Sequence, residues 1–169
     1  AWTALVRRFH AGHRSRTPLF TEIPAEFVRF LEQGGVSADD PPWLAELAHY
    51  EWIELVVRID DTPTPAHDPH GDLVSGVPVV APWARALAYR WPVHRIGPEH
   101  RPQHPPPAPT LLLVHRHADG QARFAAISAL VHRLLQRLGE GGLTGQAQVR
   151  ALADEAGALA DDDFLASGA

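Results

Sequence analysis

Sixteen prolines dictate where this 169-residue chain can form regular structure. Proline fixes φ and has no N–H to donate, so helix interiors and central strands do not tolerate it. Two arms are rich in it. The first, Asp60 to about Pro82, holds Asp60-Asp61-Thr62-Pro63-Thr64-Pro65 and His67-Asp68-Pro69-His70-Gly71-Asp72. The second runs from Pro98 to Pro109 and contains the polyproline-like Pro105-Pro106-Pro107. The expected division is therefore a helical region over 1–58, a proline-rich connection over 59–87, and a sheet-plus-helix module over 88–169. Within the connection, the apolar piece Val77–Val80 is broken by Pro78 and suits at best a sheet edge.

Before the first arm the apolar residues recur with helical spacing. Trp2, Leu5, Val6 and Phe9 form one face, and Ile23, Phe27, Phe30 and Leu31 form another, with Pro24 in a first turn. A third helix is expected to start at Asp40 as cap and Pro41 as first residue, and to carry Trp43, Leu44, Leu47, Ala48, Tyr50, Trp52, Ile53, Val56 and Val57. Its apolar residues cover more than one face, which predicts neighbours on two sides. Glu54 stands four residues before Arg58 and reads as surface support for that helix.

Between the arms, Ala88–Ile96 alternates as a strand would. After them, Thr110–His117 and Ala122–Ile127 flank Ala118-Asp119-Gly120-Gln121, an Asp-Gly turn, and predict a β-hairpin. Ser128 can cap a helix striped by Leu130, Val131, Leu134, Leu135 and Leu138; Gly139–Gly142 ends it; Thr144 can cap a second with Val149, Leu152, Ala153 and Ala156. Asp161-Asp162-Asp163 with Phe164-Leu165 suggests a further short turn. The fold class expected is α+β: a helical N-terminal part, proline-rich connections, then a small antiparallel sheet with winged-helix-like helices.

Composition narrows the chemistry. There is no Cys, which excludes disulfides, thiolate nucleophiles, Cys-ligated zinc and iron–sulfur clusters. No apolar run approaches the roughly 20 residues that span a bilayer, and the setting expected is cytoplasmic. Fifteen bases, all Arg, stand against 20 acids, for a net charge of −5. That field disfavours a polyanion partner. A DNA-reading helix–turn–helix over 128–158 is favoured by the order of elements and by His132, Arg133 and Arg137. It is opposed by Asp154, Glu155 and Asp161–Asp163 near the would-be reading helix. Histidine offers a metal-binding alternative through His115 and His117 on one strand face, His67 and His70 around Asp68, or His10 and His13 on a helix. None sits in a His-Glu-x-x-His pattern, and no Gly-rich phosphate loop or Gly-x-Ser-x-Gly elbow occurs. No catalytic residues and no metal ligands are assigned. The edge of a hairpin beside a helix pair suits another task, the addition of an extended peptide as a new strand.

Three segments together resemble a known family: Phe20–Leu31 with Pro42-Trp43-Leu44-Ala45-Glu46-Leu47-Ala48-His49-Tyr50-Glu51-Trp52; Tyr89-Arg90-Trp91-Pro92-Val93-His94-Arg95-Ile96; and Leu111–Arg116 through Leu138. The chain resembles the HvfC-like partner proteins of multinuclear non-heme iron oxidases, related to the C subunit of methanobactin synthesis; some members carry an older DNA-binding label. Relatives usually begin with a further helical stretch, and the chain has no Met even at position 1. The expectation is that residues 1–58 are the end of a longer N-terminal domain.

The resemblance implies a non-catalytic subunit with no cofactor of its own. It would form a heterodimer with an iron-dependent oxidase, which holds the iron, and present a ribosomally made precursor peptide for cysteine modification in copper handling. The leader-peptide edge is expected on Arg123, Phe124, Ala125, Ala126 and Ile127, with Val149 and Leu152 as groove wall. The oxidase-facing surface is expected at Trp52, Tyr89, Arg90, Trp91, His94 and Arg95, since aromatic and Arg residues favour interface cores.

Overall fold

A computed structural model describes residues 2–13 and 17–157. The chain divides into a helical unit, residues 1–59 with 88–110, and a sheet unit, residues 60–87 with 111–169. The two are interleaved in sequence, unlike the three consecutive stretches expected. Residues 88–110 go with the helices, and the first proline arm goes with the sheet.

In the helical unit, α1 (Trp2–Gly12) buries Leu5 and Phe9, the expected i, i+4 pair. Helix α2 (Ile23–Phe30) opens with Pro24 in its first turn. The Phe27 ring meets Phe9 edge-on, with centroids 5.3 Å apart. Glu26 is buried in α2, its carboxylate 3.0 Å from His13 Nε2. A wider turn, Leu31–Gly35, continues α2 until Gly34 adopts a φ of +97°, which only glycine takes without strain.

Helix α3 (Leu44–Ile59) starts later than its sequence signals suggest. Asp40 does not cap it. Its carboxylate pairs with Arg8 and accepts hydrogen bonds from the Ser37 amide (2.9 Å) and hydroxyl (3.1 Å). Pro42 also pushes Pro41 away from the helical region, so the two prolines form a turn closed by the Leu44 amide on Pro41 O, at 3.0 Å. As expected, α3 has neighbours on two sides. Leu44, Leu47, Ala48, Trp52 and Leu55 face a cleft shared with α1 and α2. Glu46 and His49 hold the segment that follows Tyr89. Ile53 and Val57 are buried, and Arg58 lies 3.8 Å from Glu54.

The strand expected over 88–96 is displaced. Strand β1 is Ala84–Tyr89, and Val93–Arg95 form a single 3-10 turn. Pro92 lacks an N–H, and the Arg90 and Trp91 amides go to Glu46 rather than to a neighbouring strand. Val77–Val80 forms no strand.

The sheet is three-stranded and antiparallel in the order β1-β2-β3, with β2 Thr110–Arg116 and β3 Ala122–Ala126. Both strands of the hairpin start where expected and end one residue earlier, at Arg116 and Ala126, and Val114 stands opposite Phe124. Gly120, at φ +80°, makes the turn, and Asp119 Oδ1 accepts from the Gln121 amide at 2.9 Å. Leu112 and Val114 on β2 are fully buried. Helix α4 (Ala129–Glu140) and helix α5 (Gly145–Glu155) then pack on each other. Ser128 Oγ accepts from the Val131 amide and Thr144 Oγ1 from the Ala147 amide, so both predicted caps form. The run Asp161–Leu165 lies outside the described residues. The α+β class and the order helices, hairpin, helix pair stand as expected.

Candidate functional site

Among the described residues, strand β3 ends the sheet. Its register fixes which backbone groups face outward. The Ile127 amide bonds Leu111 O at 3.0 Å and the His117 amide bonds Gln121 O at 2.8 Å. The mutually bonded pairs of an antiparallel ladder alternate, so Arg123, Ala125 and Ile127 turn their amides and carbonyls toward β2. Those of Ala122, Phe124 and Ala126 point away from it. Arg123, Ala125 and Ala126 are exposed; Phe124 and Ile127 are half-buried. Arg123 is held along the strand by Asp119, 2.8 Å away, whose carboxyl is kept below its usual range first by the Gln121 amide and then by Arg123.

The expected groove wall separates into two roles. Leu152 is 4% exposed and packs in the interior of the sheet unit, so it is no wall. Val149 does line a cleft of about 460 Å³, together with Leu134, Leu138, Gly145 and Gln146 of the helix pair and Gly71–Val74 and Pro78 of the first proline arm. None of the β3 residues lines that cleft. The sheet edge and the helix cleft are therefore separate features.

The helix pair is joined by polar contacts. Gln148 is buried in α5; its Oε1 accepts from Arg137 Nε at 3.1 Å and its Nε2 donates to the Arg137 carbonyl at 3.3 Å. Glu155 receives Arg133 Nε at 2.8 Å and NH2 at 3.0 Å, and also Arg137. These hydrogen bonds to its carboxylate, Arg133 first, pull the Glu155 carboxyl down to about 2. The two arginines that a DNA-reading version would need are thus engaged by a carboxylate of the same helix pair. Phosphate contact would require breaking these pairs.

In the helical unit, the segment Tyr89–Ile96 is fastened to α3. Glu46 accepts from the Arg90 amide (Oε1, 3.2 Å) and the Trp91 amide (Oε2, 2.9 Å). His49 Nδ1 lies 2.8 Å from the Tyr89 hydroxyl, and Trp43 Nε1 donates to Pro102 O at 3.1 Å. Burial raises Tyr89 above its ordinary value and lowers His49, so it favours the neutral form of both. Of the residues expected on a partner surface, Tyr89 and Trp91 are instead buried, 5% and 6% exposed, and fill the unit's interior. Arg90, His94 and Arg95 are exposed, and Trp52 is half-exposed on the cleft it shares with Trp2, Val6, Phe9 and Phe27.

The histidines do not gather. No group of three His, Asp or Glu side chains forms a candidate metal site among the described residues. His117 lies 3.4 Å from Asp119. His67 Nδ1 lies 2.9 Å from the Pro65 carbonyl. No helix among the described residues is long and apolar enough to cross a membrane.

Two contributors were not among the expected site residues. Glu46 stands within the quoted Trp43–Trp52 segment but reads there as one of several surface acids. Asp72 stands in an arm set aside as unstructured, although Asp72-x-x-Ser75-Gly76 is a recognisable Asx-turn pattern.

The sheet unit thus sets an end strand with outward backbone groups and a helix pair joined by polar contacts side by side in one fold. Residues 81–169, just over half of the chain, match the family described as the HvfC C-terminal domain. The chain belongs to this HvfC-like family, whose character is that of an accessory domain and fits a non-catalytic protein. No curated protein matches the sequence.

Proposed function

We propose that this chain is the accessory subunit that docks on an iron-dependent oxidase and presents a ribosomally made precursor peptide for cysteine modification. The iron sits on the oxidase, and the setting is cytoplasmic copper handling. The carrying observation is the end position of β3 in an HvfC-like chain, with the Ala122 and Ala126 backbone groups directed outward. Main-chain hydrogen bonding to such an edge supplies affinity with little demand on side-chain charge. That suits a chain of net charge −5 whose helix-pair arginines are already paired. The leader lies along Arg123–Ile127, and the oxidase contacts Trp52, Arg90, His94 and Arg95, the exposed part of the expected surface.

The test is co-expression of this chain, tagged, with an untagged iron oxidase of the type that accompanies the family and its precursor peptide. Stoichiometric retention of the oxidase through a salt wash is expected. Proline at Ala126 removes an outward N–H and spares the β2 ladder, so Ala126→Pro keeps the fold and loses peptide binding. Proline at Ala125 removes a ladder bond and serves as the destabilised control. Full peptide affinity in folded Ala126→Pro protein refutes the edge assignment. A mobility shift of random duplex DNA at physiological salt, with no oxidase retained, refutes the accessory role.

A further inference from the structure

The net charge of −5 is unevenly held. The sheet unit contains six Arg against eleven acids, whereas the helical unit contains nine of each. Within the helical unit, residues 90–104 carry Arg90, Arg95 and Arg101 against a single acid, Glu99, and all four are exposed. In the sheet unit Arg85, Arg123, Arg133 and Arg137 each lie against a carboxylate. Arg90, Arg95 and Arg101 form no ion pair among the described residues. The backbone that carries them is fastened at both ends and in its middle. Glu46 accepts from the Arg90 and Trp91 amides at the start, and Trp43 Nε1 donates to Pro102 O near the end. The Arg95 amide closes the 3-10 turn on Pro92 O at 2.8 Å. Gly97 and His100 exchange both backbone hydrogen bonds, at 3.1 and 3.2 Å, so the chain doubles back between Arg95 and Arg101. Pro92, Pro98 and Pro102 stiffen it further.

We propose that residues 90–104 form a cationic docking surface for an acidic face of a partner protein, whose carboxylates pair with Arg90, Arg95 and Arg101. The proposal rests on the accessory reading above and gives the oxidase-facing surface its chemistry: the face of the oxidase that meets this stretch is rich in Asp and Glu. Charge complementarity carries it. A guanidinium presents a planar fork of N–H donors that matches a carboxylate in two hydrogen bonds, and these three forks are not taken up by carboxylates of the described chain. The fastened backbone leaves only side chains to be ordered on binding, which lowers the cost of association. A nucleic acid is negative as well, but its long uniform charge meets the whole field of a chain at −5. A compact acidic patch acts over about one Debye length, roughly 8–10 Å, and so meets mainly the local cations.

The full chain is titrated with three probes: the oxidase, a short labelled poly-L-glutamate, and a single-stranded DNA of equal charge. Binding of the oxidase and of poly-glutamate should weaken roughly tenfold between about 50 and 200 mM salt. Arg95→Glu combined with Arg101→Glu should weaken both by roughly tenfold or more, chiefly through a slower association rate. Arg95→Lys combined with Arg101→Lys keeps the charge and should retain most of the binding. Arg150→Glu, at an exposed position of α5, should leave both affinities near the parent's. The replaced arginines are exposed and form no ion pair among the described residues, so the urea midpoint should hold in each variant and shows that the fold is kept. An oxidase that is retained with an affinity indifferent to Arg95→Glu and Arg101→Glu overturns the cationic surface and leaves the accessory reading standing. Poly-glutamate binding that depends on these arginines, with no oxidase retained, overturns the accessory reading and upholds the surface for another acidic protein. Binding of neither overturns the surface. DNA bound more tightly than poly-glutamate through the same arginines overturns the protein partner in favour of a nucleic acid.

Discussion

Removing the Glu46 carboxylate should release the Tyr89–Ile96 segment from α3. The two accepted bonds are unequal. The Arg90 amide, at 3.2 Å, is exposed, and water can replace its acceptor. The Trp91 amide, at 2.9 Å, belongs to a residue only 6% exposed, where water cannot easily follow. Hydrogen bonds to charged acceptors contribute about 1.5–3 kcal/mol each, and a buried donor stripped of its partner costs about 1–3 kcal/mol. Discounting the exposed bond, Glu46→Ala should destabilise the protein by about 2–4 kcal/mol. Glu46→Gln keeps one acceptor oxygen and should cost about half as much. The assay is urea unfolding at pH 7 followed by Trp fluorescence, where the midpoint falls and the slope is kept. Glu51→Ala, on the same helix but exposed, should stay within about 0.5 kcal/mol of the parent. A Glu46→Ala loss no larger than that of Glu51→Ala would show that the segment holds its place without the carboxylate.

His49 is lowered from 6.5, chiefly by burial, whereas the unfolded chain protonates near 6.5. Its contribution is therefore complete above that pH and declines as pH falls from 6.5 toward the lowered folded value. His49→Gln, which retains an acceptor for the Tyr89 hydroxyl, should shrink the loss of urea midpoint between pH 7.5 and 5.5; an equal loss refutes this. Leu112 is 1% exposed and its neighbour Leu113 is half-buried, so Leu112→Ala should cost about 3 kcal/mol and Leu113→Ala clearly less, by urea unfolding. Reversal of that order would contradict the strand register. Ser128→Ala removes the oxygen that accepts the Val131 amide at 3.2 Å, and should lower stability by about 1 kcal/mol, with early exchange in the first turn of α4. No change in that exchange would mean the cap is idle.

Where local chemistry decides, the fold was legible from residues alone. The caps Ser128 and Thr144, the Asp119-Gly120 turn and the strand-like run Thr110–His117 each specify their element within a few positions, and each is found. The errors fall where a distant group outbids the local one. Asp40 has the sequence of a cap, but Arg8, 32 residues away, and Ser37 take its carboxylate. Ala88–Ile96 alternates like a strand, but Glu46, more than 40 residues away, takes the two amides that a neighbouring strand would have needed. Propensity and period cannot register partners so remote in the chain.

The site was legible to the same degree and for the same reason. That β3 could end a sheet follows from a hairpin placed last among the strands. Which of its amides face outward requires the register, because a shift of one residue exchanges the two sets. The aromatic residues Tyr89 and Trp91 show why composition misleads. An exposed interface and a buried core both select large rings, and only the hydrogen bonds from Glu46 and His49 that fix their backbone and hydroxyl distinguish the two. Arg90 stands between these two buried rings and His94 and Arg95 follow on the 3-10 turn, so the contacts that bury Tyr89 and Trp91 leave the Arg90, His94 and Arg95 side chains exposed. A partner that binds this segment would thus read Arg and His on a rigid turn. Loosening Glu46 should weaken that partner's grip even though Glu46 accepts only from the Arg90 and Trp91 backbone amides in this segment.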